Sequence, residues 1–119
     1  MPVRLIGNDE RLVHQIGDTK FYYKRISSDR ASAIRRKHTV RGEVDGGKVG
    51  FEILETHLLD WENVLDWEDK QVPFSAENIR LIPDEVLGEI ITAIGSADGT
   101  PAKTVEQAIS KQDKTEKNS

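Results

Sequence analysis

Three histidines, twenty-one acidic residues and no cysteine make up the side chains with which this chain could do chemistry. His14, His38 and His57 stand far apart, without the short spacing that lets two imidazoles hold one metal ion. Each reads as a surface or helix-face histidine. Glu52, Glu55, Asp60 and Glu62 lie close enough in sequence to suggest a carboxylate pair for acid–base work. They also fall where the watered face of a helix puts acids, and that plainer reading is preferred. Gly46-Gly47 is not followed by the Lys and Ser or Thr that a phosphate-cradling loop requires, so with Asp45 it reads as a turn. The lack of cysteine removes disulfides, thiolate zinc sites and a cysteine nucleophile together. No catalytic residue, cofactor or metal site is expected, which leaves a binding role.

Two features could support binding. Residues 24–41 carry seven Lys or Arg against the single acid Asp29, whereas residues 42–94 carry thirteen acids against Lys48, Lys70 and Arg80. The net charge of −4 hides that asymmetry. The basic patch Arg30, Arg35, Arg36, Lys37 and Arg41 could neutralise phosphates on nucleic acid. With a pI near 5.4 overall, a basic helix balanced by an acidic surface, within the fold or between copies, is preferred, and nucleic acid is the second choice. Trp61 and Trp67 flank Asn63, Val64 and Leu65 and bring a large apolar area into a short connecting segment. Either indole can anchor that segment to the core through its ring and N–H; one left exposed would be a natural anchor for a partner.

The elements that must position these residues follow from pattern. Residues 2–18 are ambiguous, fitting a short strand and then a loop or another strand. Residues 19–26 are aromatic-rich and alternate, which predicts a strand with Phe21 and Tyr23 on one face and Tyr22, Lys24 and Ile26 on the other. Ser27 or Ser28 can cap a helix that has Asp29 in its first turn, Ala31, Ile34 and His38 at helical spacing, and Arg35, Arg36 and Lys37 in its last turn. Phe51, Leu54 and Leu58 share one face of a second helix over 48–59, in which Gly50 weakens the first turn. Residues 60–74 fit a small hairpin or an extended hook. Ser75 caps a short helical turn to Arg80. Pro83 opens a longer helix with Asp84 and Glu85 in its first turn, the stripe Val86, Leu87, Ile90, Ile91 and Ile94, and Gly95 at its end. Residues 96–101 read as a linker, 104–110 as one or two helical turns, and 111–119, with no apolar residue, as a disordered tail.

Within 61–94 a longer pattern emerges. Trp61-Glu62-Asn63-Val64, an acidic turn over 66–70, Val72-Pro73-Phe74-Ser75-Ala76-Glu77-Asn78-Ile79 and a Pro-led helix from Pro83 resemble the small tail assembly chaperones of long-tailed phages and prophages. In that family a Trp-x-x-Val piece, an Asp-x-x-Gly-like turn and a Pro-Phe-Ser-x-x-Asn piece precede a closing helix. Phe21-Tyr22-Tyr23-Lys24-Arg25 and Arg41-Gly42-Glu43 are also similar, so the resemblance covers about 20–94. One departure is Trp67-Glu68-Asp69-Lys70, where the family more often has a glycine. The resemblance implies a non-enzymatic role: binding the tape measure protein, keeping its apolar stretches soluble, and recruiting tail tube subunits. Such a role needs an apolar groove for an amphipathic helix, with a charged rim for solubility and self-association. Trp61, Trp67, Phe74, Ile90, Ile91 and Ile94 are the candidate partner-binding residues. The isoleucines together with Leu54, Leu58 and Leu59 are candidate groove walls, or simply the core.

A chain of 119 residues fits one domain with a modest core. The expected architecture is α+β and mainly helical, with a small antiparallel β element, a globular part over 1–96 and a flexible tail over 97–119. No stretch nears the roughly 20 apolar residues that cross a bilayer, and the start lacks a signal peptide's apolar run. A cytoplasmic protein without a membrane partner is expected.

Overall fold

Strands β1 (Leu12–Ile16) and β2 (Thr19–Tyr23) form the centre of an antiparallel sheet, joined by a two-residue turn in which Gly17 takes φ 59°. That left-handed backbone suits the hairpin turn whose first residue is glycine. The computed structural model describes residues 2–102. In it, helix α1 (Ser28–Lys37) is followed by a small hairpin, β3 (Thr39–Val40) and β4 (Glu43–Val44). Helix α2 (Gly46–His57) then runs into strand β5 (Leu58–Glu62) with no loop between them. A one-turn helix α3 (Ala76–Ile79), helix α4 (Asp84–Ile94) and a short strand β6 (Thr100–Pro101) complete the order. The sheet runs β5-β2-β1-β6. Residues 103–119, and with them the expected helical turns over 104–110 and the tail, lie outside the described residues.

Local chemistry explains most of these boundaries. Ser27 Oγ accepts from the Arg30 N–H, Asp45 Oδ1 from Lys48 and Ser75 Oγ from Asn78, so three helices begin on a side-chain cap. Asp45-Gly46-Gly47 is therefore the entry to α2 and not a separate turn. Gly50 lies where α2 meets α4: a β-carbon there would stand 3.0 Å from Ile91 Cδ1, so the glycine permits close helix packing. Alternation in β2 sends Phe21 and Tyr23 to the helical side, with Leu54, Ile79, Ile90 and Ile94 as the fully buried centre. Tyr22 goes to the opposite face, with Val13, Ala102 and Leu59. Ile26, past the end of β2, packs with the helices, and its N–H donates to the Ile94 carbonyl.

The mainly helical architecture expected from pattern is overturned. Four helices share the described residues with a four-stranded antiparallel sheet that supplies one wall of the core. The cause lies at His57–Leu58. Leu54 and Leu58 have helical spacing, yet Leu58 has extended backbone (φ −81°, ψ 124°) and starts β5 beside β2. Pairing Phe21 with Trp61 and Tyr22 with Asp60 satisfies backbone groups and buries aromatic area, and this tertiary gain outweighs helical propensity. The sheet also takes in Thr100 and Pro101 from the segment read as a linker, which pair with β1.

Candidate functional site

The end of β5 carries a hook built around Trp61 and Asn63. The Trp61 ring is buried edge-on to Phe21 and Phe74, at centroid distances of 6.2 and 5.1 Å, and its Nε1–H donates to the Val72 carbonyl at 2.8 Å. This indole thus has both apolar contact and a satisfied N–H, the two requirements of a buried tryptophan. Asn63 takes φ 60° and ties three segments together. Its carbonyl accepts from Thr19 Oγ1, its Nδ2 donates to the Asp18 carbonyl, and its Oδ1 accepts from Gln71 Nε2. Beyond it, the Val72 N–H donates to the Val64 carbonyl and Leu65 bridges to Gln71, so the hook is a short hairpin.

Asp66 shapes the tip of that hairpin. Its Oδ1 accepts from the Glu68 and Lys70 N–H groups at 2.8 and 3.0 Å, and its backbone N–H donates to the Lys70 carbonyl. Asp69 sits at φ 64°, so the tight turn forms without the glycine that the resemblance leads one to expect. An L side chain in that region costs about 1 kcal/mol. Asp69→Gly is expected to raise the unfolding free energy by roughly 0.5 kcal/mol, net of glycine's extra chain entropy, as read from urea denaturation.

Hook, sheet edge and the α3–α4 connection enclose an apolar groove of about 510 Å³. Its floor is Phe21 and Trp61, and Ile16, Val64, Val72, Ile82 and Val86 form its walls. Trp67 is 91% exposed at the mouth, Leu81 is 76% exposed and Leu65 44%. Single exposed apolar residues need no explanation, but three gathered around one apolar groove make it the candidate binding surface. Thr19, Asp66 and Asn78 are the polar residues that line it.

The candidate residues thus divide. Trp67 is at the mouth of the groove, Trp61 is its floor, and Phe74 is half-buried behind Trp61. Ile90 and Ile94 are wholly buried and Ile91 packs toward α2, so these three support the core and do not line the groove. Leu54 and Leu58 are in the same core, while Leu59 lies on the far face of the sheet. Pattern reading missed Leu65 and Leu81. Leu81's signal was its position, an apolar residue in a connection too short to bury it.

The basic residues Arg30, Arg35, Arg36, Lys37 and Arg41 are all exposed, on α1 and at the β3–β4 turn. Among the described residues only Lys37 of these five forms an ion pair, with Glu52 at 3.0 Å. The histidines take separate partners: His14 meets Glu89 at 2.6 Å, His38 meets Glu52 at 2.7 Å, and His57 Nδ1 meets Thr56 Oγ1 at 2.7 Å. The hydrogen bond from His38, and then Lys37, holds the Glu52 carboxyl below the usual carboxylate range. Among the described residues no group of three or more His, Asp or Glu is arranged to hold a metal ion, and no helix is long and apolar enough to cross a membrane.

Burial pushes the His57 imidazole below its ordinary value of 6.5, and the positive charge of Lys24 acts in the same direction. The unfolded chain therefore takes up this proton more readily than the folded one. The contribution of His57 to stability is complete above pH 6.5 and falls as pH drops below it. His57→Gln is expected to flatten the loss of stability between pH 6.5 and 5, measured as urea midpoints at each pH.

Arg25 is the other buried polar side chain among the described residues. Its Nε and Nη2 grip Glu10 at 2.9 and 2.6 Å, its backbone N–H donates to Glu10 Oε2, and its guanidinium also donates to the carbonyls of Arg4, Leu5 and Ala97. The Arg25 hydrogen bond holds the Glu10 carboxyl below 4.5. This pair was invisible in the sequence, where Arg25 read as one more cation of the basic stretch.

No protein-family model, no curated protein and no solved structure matches the chain.

Proposed function

We propose that this protein binds an amphipathic helix of a partner protein through the groove between its hook and the start of α4, and that it does so as a tail assembly chaperone. The observation that carries the first half is Trp67, an indole held almost wholly in solvent at the mouth of an apolar groove by a turn that Asp66 organises. An aromatic anchor beside a desolvated pocket is the usual centre of a binding hot spot. A groove with this mostly apolar lining suits the apolar stripe of an amphipathic helix.

The second half is supported by the resemblance over 61–94, from which Trp61, Val64, Asp66, Trp67, Val72 and Asn78 line the groove. On that reading the client is the tape measure protein of a phage or prophage, tail tube subunits are recruited to the complex, no reaction is catalysed, and the work takes place in the host cytoplasm. Co-expression with a tape measure protein should give a soluble complex that survives purification. Two proteins each soluble alone and never co-purifying would sink the reading.

A second reading is favoured by the exposure of four cations that form no ion pair among the described residues, Arg30, Arg35, Arg36 and Arg41. If this face binds nucleic acid, retention on DNA or RNA at low salt should drop at least tenfold in R35E/R36E and should weaken steeply as salt rises. No retention at low salt removes this reading.

A further inference from the structure

We propose that the face of the sheet turned away from the helices is a docking surface for the chain's own C-terminal segment, and that residues 104–110 cross it as a short helix. This surface is separate from the groove at Trp67.

That face is buried without a described element to bury it. Tyr22 is 3% exposed, Ala102 1% and Val13 9%, with Leu59 packed beside them. The four helices of the described residues all pack into the core on the other face. Residues 2–9 are exposed along their whole length and cover nothing. Arg11, itself exposed, holds its guanidinium carbon 4.5 Å from the centre of the Tyr22 ring and forms an edge to the patch. Side chains flanked only by neighbouring strands stand in water, so burial this complete requires a second layer. Beyond the described residues the chain holds Met1 and 103–119 to supply it.

The path of the chain favours the C-terminal piece. Arg25 Nη1 donates to the Ala97 carbonyl. Gly99 then passes so near the sheet that a β-carbon would stand 2.5 Å from Leu12 Cδ1 and 2.8 Å from the Tyr23 hydroxyl. Thr100 and Pro101 pair with Val13 and Leu12, and the Ala102 N–H donates to the Arg11 carbonyl. At Ala102 the backbone turns helical, with the side chain already inside the patch. The chain is thus delivered onto the face that lacks a cover.

Its sequence fits the place. Ala102, Val105 and Ile109 stand at i, i+3 and i+7, with Ala108 alongside, so a helix continued from Ala102 puts one apolar stripe where Ala102 is buried. Lys103, Glu106, Gln107 and Ser110 fall on the opposite side. Such a helix through residue 110 is about 12 Å long. From β1 to β5 is two strand spacings, about 10 Å, so the stripe reaches from Val13 past Tyr22 to Leu59. A second copy is the poorer occupant: four side chains make too small an interface for a stable dimer, whereas an attached segment meets them at high effective concentration.

Limited trypsin digestion of the full chain, followed by mass spectrometry, tests this. Lys103, Lys111, Lys114 and Lys117 flank or follow the segment, and none lies inside it. The last three should be cut first and Lys103 spared. In V105D/I109D, and separately in L59D, which alters the sheet side of the contact, cutting at Lys103 should rise at least about tenfold. Unchanged cutting at Lys20 and Lys48 shows that the release is local. V105L/I109L, which keeps the stripe apolar, should retain the protection. Lys103 cut as fast as Lys114 in the unaltered chain, or protection that survives V105D/I109D or L59D, would overturn the proposal. So would sedimentation showing a dimer whose dilution alone exposes Lys103, since a second copy would then be the cover.

Discussion

Trp67→Ala should weaken client binding by about 2–4 kcal/mol, thirtyfold or more in Kd, and leave the unfolding midpoint where it was. Both halves of this result follow from exposure. At 91% exposed the side chain makes little contact with the folded chain, so its removal deprives the core of nothing. The turn beneath it is held by Asp66 and the backbone, neither of which the substitution touches. The contrasting variant is Trp61→Ala, which empties the space between Phe21 and Phe74 and leaves the Val72 carbonyl without its indole donor. It should cost about 3–5 kcal/mol of stability, and binding should fail because the groove has lost its floor. Isothermal titration alongside thermal unfolding reads both. A loss of stability in Trp67→Ala, or unchanged affinity with an intact fold, would contradict the role assigned to it.

Arg25→Met should be the most damaging single change to a charged residue in this protein. It leaves the Glu10 carboxylate buried without its partner and removes the donor from three backbone carbonyls. Breaking one side of such a pair costs about 3–5 kcal/mol, a large share of the 5–15 kcal/mol that holds a small domain together. Replacing both, Glu10→Met with Arg25→Met, should recover much of that loss, because no charge then stays buried alone. Acid should mimic the single change. Since Arg25 holds the Glu10 carboxyl below 4.5, the pair's stabilisation is complete above pH 4.5 and fades as pH falls through the lower, folded value. Urea midpoints of the single and double variants between pH 7 and 3 check both points.

What could be read in advance was what is local. The cap at Ser27, the cations ending α1, the Pro83 entry to α4 and the alternation of Phe21, Tyr22 and Tyr23 depend on residues a few places apart, and all of them appear in the structure. What escaped depends on distant partners. Strand β5 exists because Phe21 and Tyr22 offer it an edge, while its first residue continues the spacing of the preceding helix. The stripe Ile90, Ile91 and Ile94 identified a helix face correctly, but only the packing of α2 and the sheet against it decides that the face is core. Trp61 and Trp67 look alike in sequence. They part because one indole meets the Val72 carbonyl and two phenylalanine rings, while the other lies beyond the turn, where nothing remains to cover it.

Arg25 gathers the carbonyls of residue 4, residue 5 and residue 97 around one guanidinium, and Ala102 donates its N–H to Arg11 close by. The described chain therefore enters and leaves the fold near the Tyr23 end of β2, whereas the groove opens at the Thr19 end. A reporter domain or a surface tether attached before residue 2 should therefore leave the groove open, so that an immobilised sample binds a helical partner as well as the free protein does.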